Sequence, residues 1–127
     1  MSKINIINSD NAPKAVGPYS QAINFNNLIF TSGQIPIDKK RNNIIPDAFK
    51  DQVNQVLYNL NEVLLSAGSN KKDILKITVY LTNLNDFNEL NQAFEDFFID
   101  SFPARSVVEV SALPLNVKVE IDAICIK

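Results

Sequence analysis

A chain of 127 residues with 46% apolar and 20% charged residues has the composition of one globular domain. That length buries a core without disulfides or metal ions, so we predict a single domain over residues 1–127. The net charge is −2 and the pI about 5.0, which disfavours partners that need a basic surface. We therefore expect neither a nucleic-acid partner nor a membrane partner.

The counts of cysteine and histidine limit the possible chemistry. Cys125 is the only cysteine, and residues 1–13 contain no long apolar run and no Arg-rich amphipathic stretch, so we expect a cytoplasmic protein. The chain has no histidine, which excludes Ser-His-Asp and Cys-His catalysis and His-based zinc or iron sites. Any catalysis must use carboxylates, Arg, Lys, Tyr, Ser, backbone groups and water.

Short apolar runs in the first 45 residues predict three strands, at residues 3–8, 21–25 and 28–32. Asn26 and Asn27 separate the last two runs, and because Asn tolerates a positive φ we predict a β-hairpin there. Residues 11–19 contain two prolines and a glycine, which predicts a loop. Residues 35–45 are charged and rich in Asn, which predicts a loop or an irregular hairpin.

Apolar residues recur in steps of three and four over residues 47–67, which predicts an amphipathic helix that Gly68 ends. A second helix is predicted to start near Asn85 or Asp86, where Asp86 and Glu89 have the spacing of a capping box. Its apolar face consists of Phe87, Leu90, Phe94, Phe97 and Phe98.

Residues 74–81, 104–112 and 117–126 predict the remaining strands, and the last two are joined around residues 113–116. The order ββ(β)αβαββ predicts an α+β fold with two helices packed on one face of the sheet. In the last strand, alternate residues make a second face that is only partly polar. Because such a face is often buried against a copy of the chain, we predict a homo-oligomer. Residues on that second face are Lys118, Glu120, Asp122, Ile124 and Ile126.

Four segments stand out when they are taken together: Gly-Pro-Tyr-Ser-Gln-Ala at 17–22, Thr-Ser-Gly-Gln-Ile-Pro at 31–36, Pro-Ala-Arg-Ser-Val-Val-Glu-Val at 103–110 and Val-Glu-Ile-Asp-Ala at 119–123. Residues 73–76 and 84–87 match the same pattern in place. From about Ala12 to its C-terminus, the chain resembles the Rid family, the YjgF-like reactive-intermediate deaminases. One such hexamer would be weak evidence, but four in order are specific.

The resemblance implies a chorismate-mutase-like α+β fold that assembles into a homotrimer with clefts between the subunits. The implied activity is hydrolysis of small carboxylate-bearing enamines or imines, such as 2-aminoacrylate, 2-iminopropanoate and 2-iminobutanoate, to 2-keto acids and ammonia. The implied functional partners are pyridoxal-phosphate-dependent dehydratases, which release these intermediates. Members of the family use no metal and no organic cofactor in this reaction, which suits a chain without histidine.

The resemblance assigns roles to two charged residues. Arg105 matches the arginine that binds the substrate carboxylate, and a planar guanidinium suits that task because it can form two parallel hydrogen bonds. Taken alone, Arg105 would more simply be half of a structural ion pair. Glu120 matches the carboxylate that positions or activates water. Taken alone, Glu120 would be an outward-facing strand residue, solvated beside Lys118 and Asp122.

Other predicted site residues follow from the same match. Tyr19 would pack on the substrate or donate a hydrogen bond to it, and without the family match it would be a core or loop-anchoring residue. Backbone N–H groups near Ser32, Gly33 and Ile35 are expected to bind the carboxylate beside Arg105, although turn chemistry also explains these residues. Asn91 would line the cleft from the second helix, or it would only mark the edge of the apolar stripe.

Val107 is a departure, because many deaminases of this family have cysteine there. Cys125 is on another strand and does not replace it, and we expect activity to survive with altered rate or substrate preference. If the last two strands formed a hairpin symmetric about residues 114–115, Glu120 would face Glu109, and Arg105 would lie about 10 Å or more away along the ladder. The Arg105 role is therefore the firmer prediction.

Two other classes of function compete with an enzyme. One is a small-ligand-binding or regulatory trimer without turnover, and Arg105 argues against it, because members without the arginine are the candidates for that role. The other is a translation inhibitor or endoribonuclease, an activity ascribed to some relatives. The acidic pI and the absence of histidine disfavour it.

Overall fold

The computed structural model describes residues 3–127, which form a sheet of six strands and two α-helices, as the sequence predicts. Four single-turn 3₁₀ helices, at Lys39–Arg41, Lys71–Asp73, Leu84–Asp86 and Pro114–Asn116, lie in the connections. The elements are β1 (Ile4–Ile7), β2 (Ala22–Phe25), β3 (Leu28–Thr31), α1 (Phe49–Ser66), β4 (Ile74–Leu81), α2 (Phe87–Phe97), β5 (Ala104–Glu109) and β6 (Val119–Ile126).

The strands are arranged in the order β1-β2-β3-β6-β4-β5, with every neighbouring pair antiparallel except β4 and β5. The prediction that the last two strands are joined as neighbours is therefore wrong, since β4 separates them. The chain reaches β5 through the crossover helix α2, and such a connection places β5 parallel to β4. β6 then fills the gap between β3 and β4.

Of the two helix ends predicted from the sequence, the end of α1 is confirmed and the start of α2 is not. Gly68, with a φ of 80°, follows α1 as predicted, and the N–H of Ser69 donates to the carbonyl of Leu64 at 2.9 Å. The capping box predicted for α2 is wrong, because the Asp86 side chain makes no capping hydrogen bond. The 3₁₀ turn before α2 has a cap instead, since Oδ1 of Asn83 accepts from the N–H of Asn85 at 2.9 Å. Within residues 3–127, neither helix has the length and apolar character needed to cross a membrane.

The core lies between the two helices and one face of the sheet. Alternate residues of β4 and β6 point into it, as the two-residue period of a strand requires. Cys125 belongs to this set and is fully buried; burial raises the pKa of its thiol to about 12. The other strand residues of the set are Ile74, Ile77, Val79, Leu81, Val119, Ile121 and Ala123.

The opposite face of the sheet, here called the open face, is covered by neither helix. The sequence predicts that this face is partly apolar, and the strand register confirms it. Ile4 and Ile6 on β1 are 67% and 63% exposed, and an apolar surface continues from them across β2 and β3. A contiguous patch of this kind is typical of an interface. Its other members are Ile23, Phe25, Leu28, Phe30, Ile124 and Ile126.

One buried amide connects α1 to the loop after β3. Asn59 has no exposed surface, and its Nδ2 donates to the carbonyls of Ile35 at 3.1 Å and Ile37 at 2.9 Å. Its Oδ1 accepts a hydrogen bond from Gln55 at 2.8 Å. The irregular hairpin that sequence predicts for this loop is present as a bridge between Asp38 and Ile44.

We expect Asn59→Ala to lower the free energy of unfolding by about 1–3 kcal/mol, because the buried carbonyl of Ile37 loses its side-chain donor and the carbonyl of Ile35 keeps only the N–H of Ile37. Gln55→Ala is the matched control: it removes one hydrogen bond, from the partly exposed side chain of Gln55, and should cost less than about 1 kcal/mol. Urea denaturation of both variants measures the difference. Equal destabilisation by the two substitutions would contradict a role for Asn59 in holding this loop.

Candidate functional site

Arg105 lies on the edge strand β5, and its side chain is on the face of the sheet that the helices cover. Its position follows from the parallel register, because Arg105 pairs with the buried Ile77 and side chains of paired residues share a face. The guanidinium therefore meets α2. Its Cζ lies 5.4 Å from the ring centroid of Phe87 and 5.0 Å from that of Phe94, and Nη2 donates to Oδ1 of Asn91 at 2.9 Å.

The charge of Arg105 is not neutralised within the described chain. The one ion pair found among residues 3–127 joins Arg41 to Asp38, so the alternative of a structural ion pair finds no partner for Arg105 here. Partial burial lowers the pKa of the guanidinium from its ordinary value, yet arginine remains a cation at neutral pH. A cavity of about 320 Å³ opens beside it, lined by Asn91, Phe94, Glu95, Phe102, Pro103 and Arg105. We call this cavity the Arg105 pocket.

Glu120 lies on β6 and points to the open face, level with Tyr80 on β4. A second cavity of about 290 Å³, which we call the Glu120 pocket, contains it. The predicted site residues from the first hairpin and its flanking loops meet here, since β3 is the other neighbour of β6. The lining residues are Val16, Tyr19, Ser32, Gly33, Ile35, Pro114 and Glu120.

Gly33 is required by the close approach of Glu120. A β-carbon at position 33 would lie 2.8 Å from Cδ and 3.1 Å from Cγ of Glu120, and it would collide with the carboxylate oxygen Oε2. The neighbouring backbone is held by a two-way bridge, in which the N–H groups of Gln34 and Ile121 donate to each other's carbonyls at 2.8 and 3.1 Å. The carboxylate therefore rests on the backbone of the Gly33 segment.

Ser32 and Tyr19 support the wall of the Glu120 pocket. The hydroxyl of Ser32 donates to the carbonyl of Ser20 at 2.6 Å, and its N–H donates to the carbonyl of Gln21. The hydroxyl of Tyr19 accepts from the N–H of Val16 at 3.2 Å, which leaves its own proton available. The polar groups of Ser32 are thus occupied by the fold, whereas Tyr19 can still donate to a ligand.

Burial and one charged neighbour both raise the pKa of Glu120. Burial raises the pKa of its carboxyl, and the nearby Asp122 raises it further. Asp122 accepts a hydrogen bond from the hydroxyl of Tyr80 at 3.1 Å. Lys118, which the sequence suggested as a solvating neighbour, donates instead to the carbonyl of Asp47 at 2.8 Å. Among residues 3–127, Glu120 therefore has no cationic partner, and these surroundings suit a general base.

The Arg105 and Glu120 pockets lie on opposite faces of the sheet. Arg105 shares a face with Ile77, whereas Glu120 shares the other face with Tyr80, three residues along β4. The hairpin register that would set Glu120 against Glu109 does not occur. Within one chain, the N–H groups near Gly33 do not lie beside Arg105, and one small molecule cannot touch both pockets.

Val107 follows Arg105 on the same face, where it is level with Val79 and packs against the core. It is half-buried and lies on the side of the Arg105 pocket rather than the Glu120 pocket. Within residues 3–127, no group of three or more Cys, Asp or Glu side chains is placed to hold a metal ion.

Some lining residues were not predicted as site residues from the sequence. Phe87 and Phe94 appeared only as members of an apolar helix face, although their spacing around Asn91 puts all three on one side of α2. Phe102 and Pro103 in the Arg105 pocket, and Val16 and Pro114 in the Glu120 pocket, come from loops. Their sequence carries no periodic signal, so only the topology places them.

Comparison with known proteins identifies relatives along nearly the whole chain. A RutC family protein from Pyrococcus horikoshii is 48% identical over 122 residues, which are 96% of this chain and 97% of the relative. The chloroplastic Reactive Intermediate Deaminase A of Arabidopsis thaliana is 39% identical over 122 residues, which are 96% of this chain and 65% of that longer protein.

Solved structures agree with the sequence relatives. A Rid family protein of unknown function from Yersinia pestis has a TM-score of 0.95 at 44% identity, covering 98% of this chain and all of that one. Escherichia coli TdcF, solved with bound serine, has a TM-score of 0.93 at 40% identity, covering 97% of this chain and 98% of that one. The family model described as Endoribonuclease L-PSP matches residues 9–127. The chain therefore belongs to this L-PSP family, whose YjgF-like members include the Rid proteins.

Proposed function

We propose that this protein is an enamine and imine deaminase that converts 2-iminopropanoate, 2-iminobutanoate and related acids to 2-keto acids and ammonia. The observation that carries the proposal is Arg105, an arginine in an open pocket with no acidic partner in the described chain. Such a guanidinium suits a substrate carboxylate. The name of the Arabidopsis relative and the serine bound to TdcF support a small amino-acid-like substrate.

The active site in this proposal lies between subunits of a homotrimer. Because the two pockets are on opposite faces of the sheet, the Arg105 pocket of one subunit must meet the Glu120 pocket of another. The exposed apolar residues on β1, β2 and β3 favour association of the open face with another subunit, because association buries them. In a cyclic assembly, every interface joins the same two unlike surfaces, so each would contain one complete site.

The proposed reaction begins when Arg105 pairs with the substrate carboxylate and N–H groups near Gly33 help to orient it. An enamine first tautomerises to the imine. Glu120 accepts a proton from water as the water oxygen bonds to the imine carbon, and it returns this proton to the nitrogen to give a carbinolamine. Glu120 then accepts the hydroxyl proton of the carbinolamine and passes it to the nitrogen as the C–N bond breaks, so that the keto group forms and ammonia leaves. Positioning and charge placement suffice for the modest acceleration required.

The wider setting of the proposal rests on the family. The resemblance implies a cytoplasmic enzyme without metal or organic cofactor, acting on intermediates that pyridoxal-phosphate-dependent dehydratases release. The description of the family model names an endoribonuclease instead. A chain of net charge −2 without histidine is poorly suited to bind and cleave RNA, so the deaminase is the better supported function.

We expect Arg105→Ala to lower kcat/KM for imine hydrolysis by about 100-fold, because the carboxylate loses a charge-assisted pair of hydrogen bonds. The assay generates 2-aminoacrylate from serine with a dehydratase and follows pyruvate formation. Arg41→Ala is the matched control, since Arg41 is the other arginine and its side chain is 82% exposed. No acceleration by the folded wild-type protein would refute the deaminase proposal.

Mixed oligomers test whether the site lies between subunits. Arg105→Ala and Glu120→Gln subunits should each be inactive alone. Co-expressed with different tags and purified as mixed trimers, they should recover about one third of wild-type activity, because one interface in three then pairs an intact Arg105 with an intact Glu120. If the mixed trimers are as inactive as either parent, the site does not lie between subunits. Either both residues then act within one subunit, or one of them takes no part in the reaction.

The pH dependence tests the role of Glu120. Since Glu120 must be ionised to accept a proton, and burial and Asp122 raise the pKa of its carboxyl above the ordinary 4.5, we expect kcat/KM to fall with decreasing pH already above pH 4.5. Asp122→Asn should shift this fall to lower pH, because it removes the neighbouring negative charge. Asp96→Asn, at an exposed position on α2, is the charge-matched control. An unchanged profile in Asp122→Asn would contradict a coupling between the titrating base and Asp122.

A further inference from the structure

The contacts of Arg105 on α2 are all uncharged. Phe87, Asn91 and Phe94 are four and three residues apart, so they lie on one side of the helix. The two rings lie 5.4 and 5.0 Å from Cζ, within the range of a cation–π interaction. The amide oxygen of Asn91 is 2.9 Å from Nη2. We call these three side chains the cradle of Arg105.

We propose that the cradle positions Arg105 while preserving its full charge, and that the neutrality of Asn91 makes the site selective for anionic over uncharged substrates. This inference rests on the proposed function, in which Arg105 binds the substrate carboxylate. It adds Phe87 and Phe94 to the site as positioning residues, since they act through Arg105, and it gives Asn91 the same role.

The chemical identity of the hydrogen-bond acceptor at position 91 decides whether Arg105 stays free to bind a carboxylate. A carboxylate at position 91 would hold the guanidinium equally well, but it would form an ion pair and compete with the substrate for the same N–H donors. The amide of Asn91 offers one neutral oxygen at this contact, so Arg105 keeps donors free for a ligand. Glu95 also lines the Arg105 pocket, yet it does not approach within ion-pair distance of Arg105.

The two rings hold the guanidinium without using its hydrogen-bonding edge. Aromatic rings attract a cation through their faces and accept no N–H donor in the plane of the guanidinium. Phe94 is itself fixed, since its ring packs at a tilt against that of Phe98 in the core, with the ring centroids 5.4 Å apart. The cradle is therefore anchored in the core, and it restricts the movement of Arg105. Without it, the long side chain on an edge strand would be mobile.

Binding of pyruvate and of its uncharged analogue pyruvamide, measured by calorimetry, tests the role of Asn91 without turnover. In Asn91→Asp we expect affinity for pyruvate to fall about tenfold or more and the preference over pyruvamide to disappear, with thermal stability equal to wild type or higher. In Asn91→Ala the binding should weaken while the preference remains, because the charge of Arg105 is still free. An Asn91→Asp protein that keeps the wild-type preference for pyruvate would overturn the proposal.

The rings are tested with Phe94→Leu and Phe94→Tyr. We expect the leucine variant to lose about fivefold or more in pyruvate affinity and to raise KM more than it lowers kcat, and the tyrosine variant to bind as wild type does. Phe98→Leu is the matched control, because it removes a ring from the same cluster without contacting Arg105. Equal losses of pyruvate affinity in Phe94→Leu and Phe98→Leu would show that Phe94 contributes only to core packing.

The two proposals fail in different ways. A wild-type protein that binds pyruvate over pyruvamide but does not hydrolyse imines would refute the deaminase and leave the cradle standing. A wild-type deaminase whose Asn91→Asp and Phe94→Leu variants match it in pyruvate affinity and in KM would refute the cradle and leave the deaminase standing.

Discussion

The insertion of β6 between β3 and β4 is the constraint on which the rest of the structure depends. Both neighbours run antiparallel to β6, so they are parallel to each other with one strand between them. The chain must then pass from β3 to β4 through α1 on a single side of the sheet. The same insertion sets Glu120 level with Tyr80 and against the backbone of Gly33. The Glu120 pocket is thus assembled from both ends of the sequence.

The sheet also acts as a partition between two chemical environments. On the helix side, α2 surrounds Arg105 with two rings and an amide. On the open side, Glu120 lies beside Asp122 and has no cationic partner in the described residues. A cation and a carboxylate that shared one pocket would neutralise each other, as opposite charges at short range do in a dehydrated site. Separation by the backbone keeps both charges available to ligands.

Much of the secondary structure could be predicted from the sequence, because periodicity and short motifs are local signals. The stripe of α1, the Asn26 turn and the alternation of β6 are all confirmed within a few residues. The predicted pairing of β5 with β6 was wrong, because adjacency along the chain does not determine adjacency in a sheet that contains a crossover helix. The partners of Arg105 were missed for a related reason: a helix face shows that Phe87 and Phe94 are turned inward, but not which strand they meet.

The burial of Cys125 has a consequence for the chemical durability of the protein. Only a thiolate reacts readily with oxidants and with electrophiles such as activated alkenes. The single thiol of this chain is enclosed in the core, and its pKa of about 12 leaves almost none of it ionised at neutral pH. With valine at position 107, neither pocket contains a sulfhydryl group. Neither pocket can therefore be alkylated or oxidised at a thiol of its own, and the core thiol is protected by its burial.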